Sequence, residues 1–150
     1  MSTTTSLLAL WTEARTRFSN QLSQLNEDDL KKKIAPNSNS IGFLMRHIGD
    51  VELLFAKNVF GDSTVSVIAK TVIDQKDSGE WTNLNELIAY TNKSFQTLEA
   101  IIMKQSEENW SETIVTKEFG SKIKAEAFGR IISHTTYHAG QIAIIKKYGN

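Results

Sequence analysis

Only three histidines occur in this 150-residue chain, and their spacing defines the chemistry it can offer. His134 and His138 are four apart, so on a helix their side chains lie one turn apart on one face and can reach a single ion. His47 lies between Leu44 and Val51, on the apolar stripe of a different segment. Three neutral imidazoles converging on one point are the ligand set of a catalytic divalent-metal site, which keeps a coordination position for water or substrate. Imidazole suits zinc, nickel, copper and iron, so the donors alone do not choose the ion. A plainer reading competes: such a pair also occurs as half-buried histidines bonded to hydroxyls, or facing solvent. Three partnerless imidazoles in a dry core would be costly, which favours a shared ligand.

Other chemistries are excluded by inspection. A His-Glu-x-x-His protease needs glutamate after the first histidine, and position 135 is Thr135. Carboxylate-bridged di-iron bundles need glutamate three residues before a histidine, where this chain has Leu44, Ile131 and Thr135. There is no glycine-rich phosphate loop, no GxSxG elbow and no dinucleotide fingerprint. With no cysteine in the sequence, disulfides, thiolate metal sites and a cysteine nucleophile are ruled out.

Four further residues adjoin the histidines. Asp50, one turn beyond His47, reads either as a carboxylate orienting an imidazole or as an exposed surface acid. Gln141, one turn past His138, reads either as a hydrogen-bonding group for bound water or substrate or as a packing residue. Tyr137 sits off the histidine face and reads as interface or surface. Arg46, adjacent to His47 but diverging from it around the helix, reads as surface.

The elements that must position these groups follow from apolar spacing. One proline and eight glycines leave room for long helices. Leu7, Trp11, Ala14, Phe18, Leu22 and Leu25 line one face of a first helix. After the N-cap cluster Asn37 to Ser40, the residues Ile41, Leu44, Ile48, Val51, Phe55 and Val59 line a second, with Gly61 placed to stop it. Residues 62–80 read as a long connection containing a helical turn. A third helix starts near Asn83, with Glu86 as a capping partner, and carries Leu84, Ile88, Thr91, Phe95, Leu98 and Ile102. From Ser111 to Lys124 the period switches to two and Gly120-Ser121 follows, predicting a small hairpin. The fourth helix runs from about Ala125 to Lys147 and presents Ala127, Ile131, His134, His138, Ile142 and Ile145 on one side. Trp11, Phe18, Phe43, Phe55 and Phe95 read as core or dimer packing. The fold class is all-α: one domain over 1–150, a four-helix bundle with long crossover connections and a small β-hairpin before the last helix.

Lys plus Arg and Asp plus Glu number 17 each, so the formal net charge is zero, which argues against a nucleic-acid binder or a polybasic membrane anchor. Lys31 to Lys33 follow Glu27, Asp28 and Asp29 and read as a solvated, locally neutralised face. No apolar run is long enough to span a bilayer and none reads as a signal peptide, so a cytoplasmic location is the expectation.

The segments Ser40-Ile41-Gly42-Phe43-Leu44-Met45-Arg46-His47-Ile48 and His134-Thr135-Thr136-Tyr137-His138-Ala139-Gly140-Gln141-Ile142 together resemble the DinB/YfiT-like superfamily of metalloenzymes. The resemblance implies a commonly dimeric four-helix bundle with His47, His134 and His138 as ligands of a divalent metal, usually nickel or zinc. It implies a thiol-dependent transferase or isomerase using bacillithiol, mycothiol or glutathione on a small-molecule substrate, with some relatives acting as hydrolases. Lys146-Lys147 stand where relatives often carry arginine, which weakens any anion-binding role there. A homodimer is expected from the resemblance together with spare aromatic surface. The competing class is a non-catalytic bundle that binds a metal or ligand as a stress-response module. The coordination sphere discriminates: a fourth protein ligand points to structure or sensing, an open position beside a pocket to catalysis.

Overall fold

The computed structural model describes residues 1–150. Four long helices and one short one form in the order α1 (Thr3–Leu22), α2 (Ile41–Leu54), α3 (Lys70–Asp74), α4 (Leu84–Met103) and α5 (Lys124–Tyr148), with strands β1 (Thr113–Thr116) and β2 (Gly120–Ile123) ahead of α5. The four long helices make the bundle, with α2 packed most extensively on α4 and α1 on α5. No helix is long and apolar enough to cross a membrane.

Local chemistry sets the ends. Ser40 Oγ accepts the Phe43 amide at 3.2 Å and opens α2. A π-helical turn, Phe55–Val59, prolongs α2 before Gly61, whose φ of +72° is the left-handed conformation that a stop requires. Asn83 Oδ1 accepts the Glu86 amide at 3.1 Å and opens α4. The hairpin pairs antiparallel from Thr113 with Ile123 to Thr116 with Gly120, as the switch of period predicts. The 62–80 connection does contain a helical turn, α3, and it packs along α2.

The core is divided in two. One apolar cluster centres on Trp11, Leu98, Trp110, Phe128 and Ile131; the other on Phe18, Leu44, Ile48, Leu87 and Ile142. Between them every long helix contributes polar side chains: Arg15 from α1, Asp50 and Glu52 from α2, Thr91 and Ser94 from α4, and Thr135 from α5, all buried. Arg15 Nε donates to Glu52 Oε1 at 2.7 Å, Ser94 Oγ donates to Glu52 Oε2 at 2.5 Å, and Arg15 Nη2 donates to the Thr91 carbonyl at 3.0 Å. Burial pushes the Glu52 carboxyl up, and the Arg15 guanidinium and the Ser94 hydroxyl oppose that rise.

Removing one member of a buried pair strands the other charge, which costs about 3–5 kcal/mol. Glu52→Ala should therefore lower stability by about that amount, seen as a fall in the urea midpoint with an unchanged m-value. A loss below ~1 kcal/mol would mean that Arg15 finds another partner or solvent, and would remove this pair as a determinant of the bundle.

Candidate metal centre

The polar stratum reaches the surface between α2 and α5, and the histidines stand there. His47 on α2 and His134 and His138 on α5 are half-buried, at the edge of the core rather than inside it, a correction to the inward placement their apolar stripes predict. The shift follows from the α5 helix itself, whose fully covered side is Ile131, Thr135, Ala139 and Ile142, one residue round from the histidines. The three rings cluster with centroids 5.0 Å (His47 to His134), 5.0 Å (His47 to His138) and 4.4 Å (His134 to His138) apart. Their candidate ligand nitrogens all lie within 4.8 Å of one another, and no carboxylate joins the group. Nε2 of His47 and Nε2 of His134 face each other at 3.1 Å. Two nitrogens bound to one ion at Zn–N lengths of ~2.1 Å stand ~3.0–3.4 Å apart, so this pair is spaced as ligands would be.

All three imidazoles are held neutral at physiological pH, the form that binds metal. Burial pushes His47 down to about 4, helped by the neighbouring His138 and opposed by Asp50. Burial pushes His134 down to about 3, with His138, His47 and Arg130 adding to it. Burial lowers His138 as well, against the bond from Gln141. His134 Nδ1 is buried without a hydrogen-bond partner, an orphaned nitrogen that hydrogen bonding within the protein leaves unexplained. Donor type, charge state and the spacing of the Nε2 pair therefore fit a divalent cation.

The remaining sequence candidates are redistributed. Gln141 lies beside the site, where its Oε1 accepts from His138 Nδ1–H at 2.6 Å, so its carbonyl orients a histidine. Asp50 is fully buried rather than a surface acid, and it touches no imidazole directly. Its Oδ2 accepts from the Thr71 amide at 3.1 Å and the Thr71 hydroxyl at 2.7 Å, and its Oδ1 from Arg46 Nε at 2.9 Å and the Tyr90 hydroxyl at 2.6 Å. Thr71 Oγ1 in turn stands 3.0 Å from His47 Nδ1. Arg46 is not a free surface residue: it pairs with Asp50 and its guanidinium lies 3.7 Å from the Tyr90 ring centroid and 4.8 Å from that of Trp81. Gly49 permits this approach, since a Cβ there would meet the Tyr90 ring at 2.6 Å. Tyr137 is exposed, as expected of a surface residue, yet its ring is 5.2 Å from that of His138 and it lines the site's opening. Phe43 stacks on His47 at 5.8 Å, which adds a ring-orienting contact to its core role.

A cavity of about 480 Å³ opens onto all three histidines. Val51, Leu54, Phe55, Val59 and Phe119 form its apolar wall, and Lys117 and Glu118 of the hairpin turn stand at its rim. Sequence reasoning missed Thr71, Tyr90 and the hairpin turn as parts of the site. Only the hairpin left a signal in the sequence, through its period-two pattern; nothing in the pattern marks what it covers.

The family model of the DinB superfamily matches residues 10–142. The chain belongs to the DinB superfamily. Solved structures agree on the fold of this DinB protein. A DinB-like protein (YjoA) from Bacillus subtilis superposes with a TM-score of 0.71 at 16% identity, covering 95% of this chain and 90% of that one. A conserved protein from Enterococcus faecalis gives 0.72 at 17% identity, covering 99% and 97%. A mycothiol-dependent maleylpyruvate isomerase gives 0.71 at 17% identity over 93% of this chain, which spans only 60% of the isomerase's length. No curated protein matches the chain in sequence.

The neutral histidines set a pH response. Each imidazole has an ordinary value near 6.5 in the unfolded chain and a lower one when folded, so in between the unfolded state binds more protons. Their contribution to stability is complete above about pH 6.5 and is lost as the pH falls toward the folded values of about 4 and about 3. Urea unfolding of metal-free protein at pH 7.0, 5.5 and 4.5 should show that decline, and a His134→Gln variant should lose less over the same interval. Equal losses in the two proteins would mean that His134 is not held neutral by the fold.

Proposed function

We propose that this protein is a metal-dependent enzyme in which His47, His134 and His138 hold a divalent cation, nickel or zinc, and that it transfers a low-molecular-weight thiol to a small electrophile. The observation that carries the reading is three neutral imidazoles, free of any carboxylate in their group, opening onto an apolar-walled cavity. An ion held there would lower the pKa of a thiol or water and orient it toward a substrate. The protein's own part is positional. Gln141 fixes the ring of His138 through Nδ1–H, leaving Nε2 available to the site. The wall formed by Val51, Leu54, Phe55, Val59 and Phe119 offers an electrophile a surface that excludes water. Lys117, at the rim, suits a substrate that carries a negative group.

Thiol transfer is preferred over hydrolysis because a structurally similar protein is mycothiol-dependent, and because the apolar wall favours an organic electrophile over bulk water. Catalysis is preferred over a sensing or structural role because no fourth protein ligand closes the group. The reading includes a homodimer and a cytoplasmic setting, where low-molecular-weight thiols are reduced. The exposed Leu10, Tyr137, Ile144 and Tyr148 supply apolar surface for self-association.

Elemental mass spectrometry on untagged protein tests the centre. Near-stoichiometric nickel or zinc in the wild type, falling at least tenfold in His134→Ala and His138→Ala, is the expected result. Loaded protein should then consume thiol in the presence of small electrophiles, and both variants should be inactive. A His138→Ala protein that keeps its metal and its activity would refute the assignment. A wild type that stays metal-free after reconstitution would hand the function to a non-catalytic binding module.

A further inference from the structure

We infer that Thr71, on the short helix α3, is a positioning residue of the histidine centre: together with Asp50 it fixes which nitrogen of His47 carries the proton. A threonine hydroxyl has one hydrogen to donate and lone pairs with which to accept. Thr71 Oγ1 lies 2.7 Å from Asp50 Oδ2 and 3.0 Å from His47 Nδ1, so it is placed between a carboxylate and an imidazole. The carboxylate has only acceptors to offer. The hydroxyl proton therefore goes to Asp50, and only a lone pair remains to face the ring. His47 Nδ1 must then be the protonated nitrogen, donating to Thr71, and the ring's lone pair is fixed on Nε2. That nitrogen is the one facing His134 Nε2 across 3.1 Å.

The surroundings hold the relay in one orientation. Asp50 cannot turn away, because the Thr71 amide, Arg46 Nε and the Tyr90 hydroxyl donate to its oxygens at 3.1, 2.9 and 2.6 Å. Thr71 and Asp50 are both buried, and the Phe43 ring stacked on His47 limits rotation of the imidazole. The backbone pays for the arrangement: α3 is bracketed by Ala69 at φ +26° and Gln75 at φ +49°, two non-glycine residues in a region that L side chains rarely adopt. Strain at both ends of a five-residue helix is what would be expected where side-chain bonds, rather than helix propensity, decide its position. Asp50 thus acts on His47 through Thr71 and is itself a positioning residue, not a catalytic one.

The inference shares its zinc readout with the proposed metal centre, but its first readout stands apart from it. In metal-free, ¹⁵N-labelled wild type, long-range ¹H–¹⁵N correlations should show His47 as a single tautomer protonated at Nδ1. Thr71→Val keeps the shape and removes the hydroxyl, and should bring in the Nε2–H form; Thr71→Ser should restore the wild-type pattern. Calorimetric titration with Zn²⁺ should show a ten- to hundredfold weaker site in Thr71→Val and a change of less than about threefold in Thr71→Ser. Should the valine variant lose cooperative unfolding by circular dichroism, Thr71→Ala provides the same reading. A hydroxyl-free variant that folds and retains both the single His47 tautomer and wild-type zinc affinity overturns the proposal. A wild type with the fixed tautomer but no affinity for Zn²⁺ or Ni²⁺ supports the relay and removes the metal reading instead.

Discussion

A helical bundle this small holds a charged layer through its middle only because the buried charges are paired, and that pairing organises the molecule. The layer passes from Arg15 on α1 through Glu52 on α2 to Ser94 and the Thr91 carbonyl on α4, with an apolar cluster on either side. Desolvating an ion is expensive, and the expense is offset only when geometry and hydrogen bonds are nearly complete. The register of the helices is accordingly tied to this stratum: sliding one helix by a turn, about 5.4 Å, would strand a charge in the core. Where the same stratum meets the surface between α2 and α5, the partners become histidines and the groups that orient them. The site is the open end of a structural layer, positioned by what holds the bundle together.

The three histidines are not equivalent within that layer. His138 is oriented by Gln141 on its own helix, through one turn of α5. His47 faces Thr71, contributed by a connection that is remote in sequence. His134 has no partner at Nδ1, and its one protein neighbour at hydrogen-bond distance is His47 Nε2, 3.1 Å from its own Nε2. A histidine that holds a metal normally gains basicity and orientation from a partner at its second nitrogen, and at His134 Nδ1 there is none. Burial lowers its affinity for protons, as it does for His47 and His138.

Much of this was legible in the sequence, and the limits have a physical pattern. Helix stripes, the Ser40 and Asn83 caps, the Gly61 stop and the hairpin are local signals, set by period and backbone preference, and each has its counterpart in the fold. The clustering of His47, His134 and His138 was also legible, because helical spacing aligns two of them and the second apolar stripe carries the third. Asp50 and Arg46 were misread because both lie under later parts of the chain: Thr71 and Tyr90 reach Asp50, and Tyr90 and Trp81 lie against Arg46. A helical wheel takes the side of α2 away from the bundle to be solvent, whereas the 62–80 connection returns along that side and covers it. Thr71 was invisible because its role arises from a contact 24 residues distant, made by a five-residue helix too short to show a period. Propensity cannot announce a helix that tertiary bonds hold in place.

The hairpin lies between α4 and α5 and belongs to neither. Its turn, Thr116 to Phe119, borders the cavity, while the residues that hold the histidines all lie elsewhere, on α2, α3 and α5. The two strands pair only with each other, in a sheet of two. A two-stranded turn can lengthen, shorten or exchange side chains with little penalty to a helical core. The hairpin's share of the cavity is therefore encoded apart from the histidines, whereas Val51, Leu54, Phe55 and Val59 share one helical run with His47. A lineage could exchange Lys117, Glu118 or Phe119 and reshape that side of the cavity while its imidazoles, and the carboxylate and hydroxyl behind them, stay as they are.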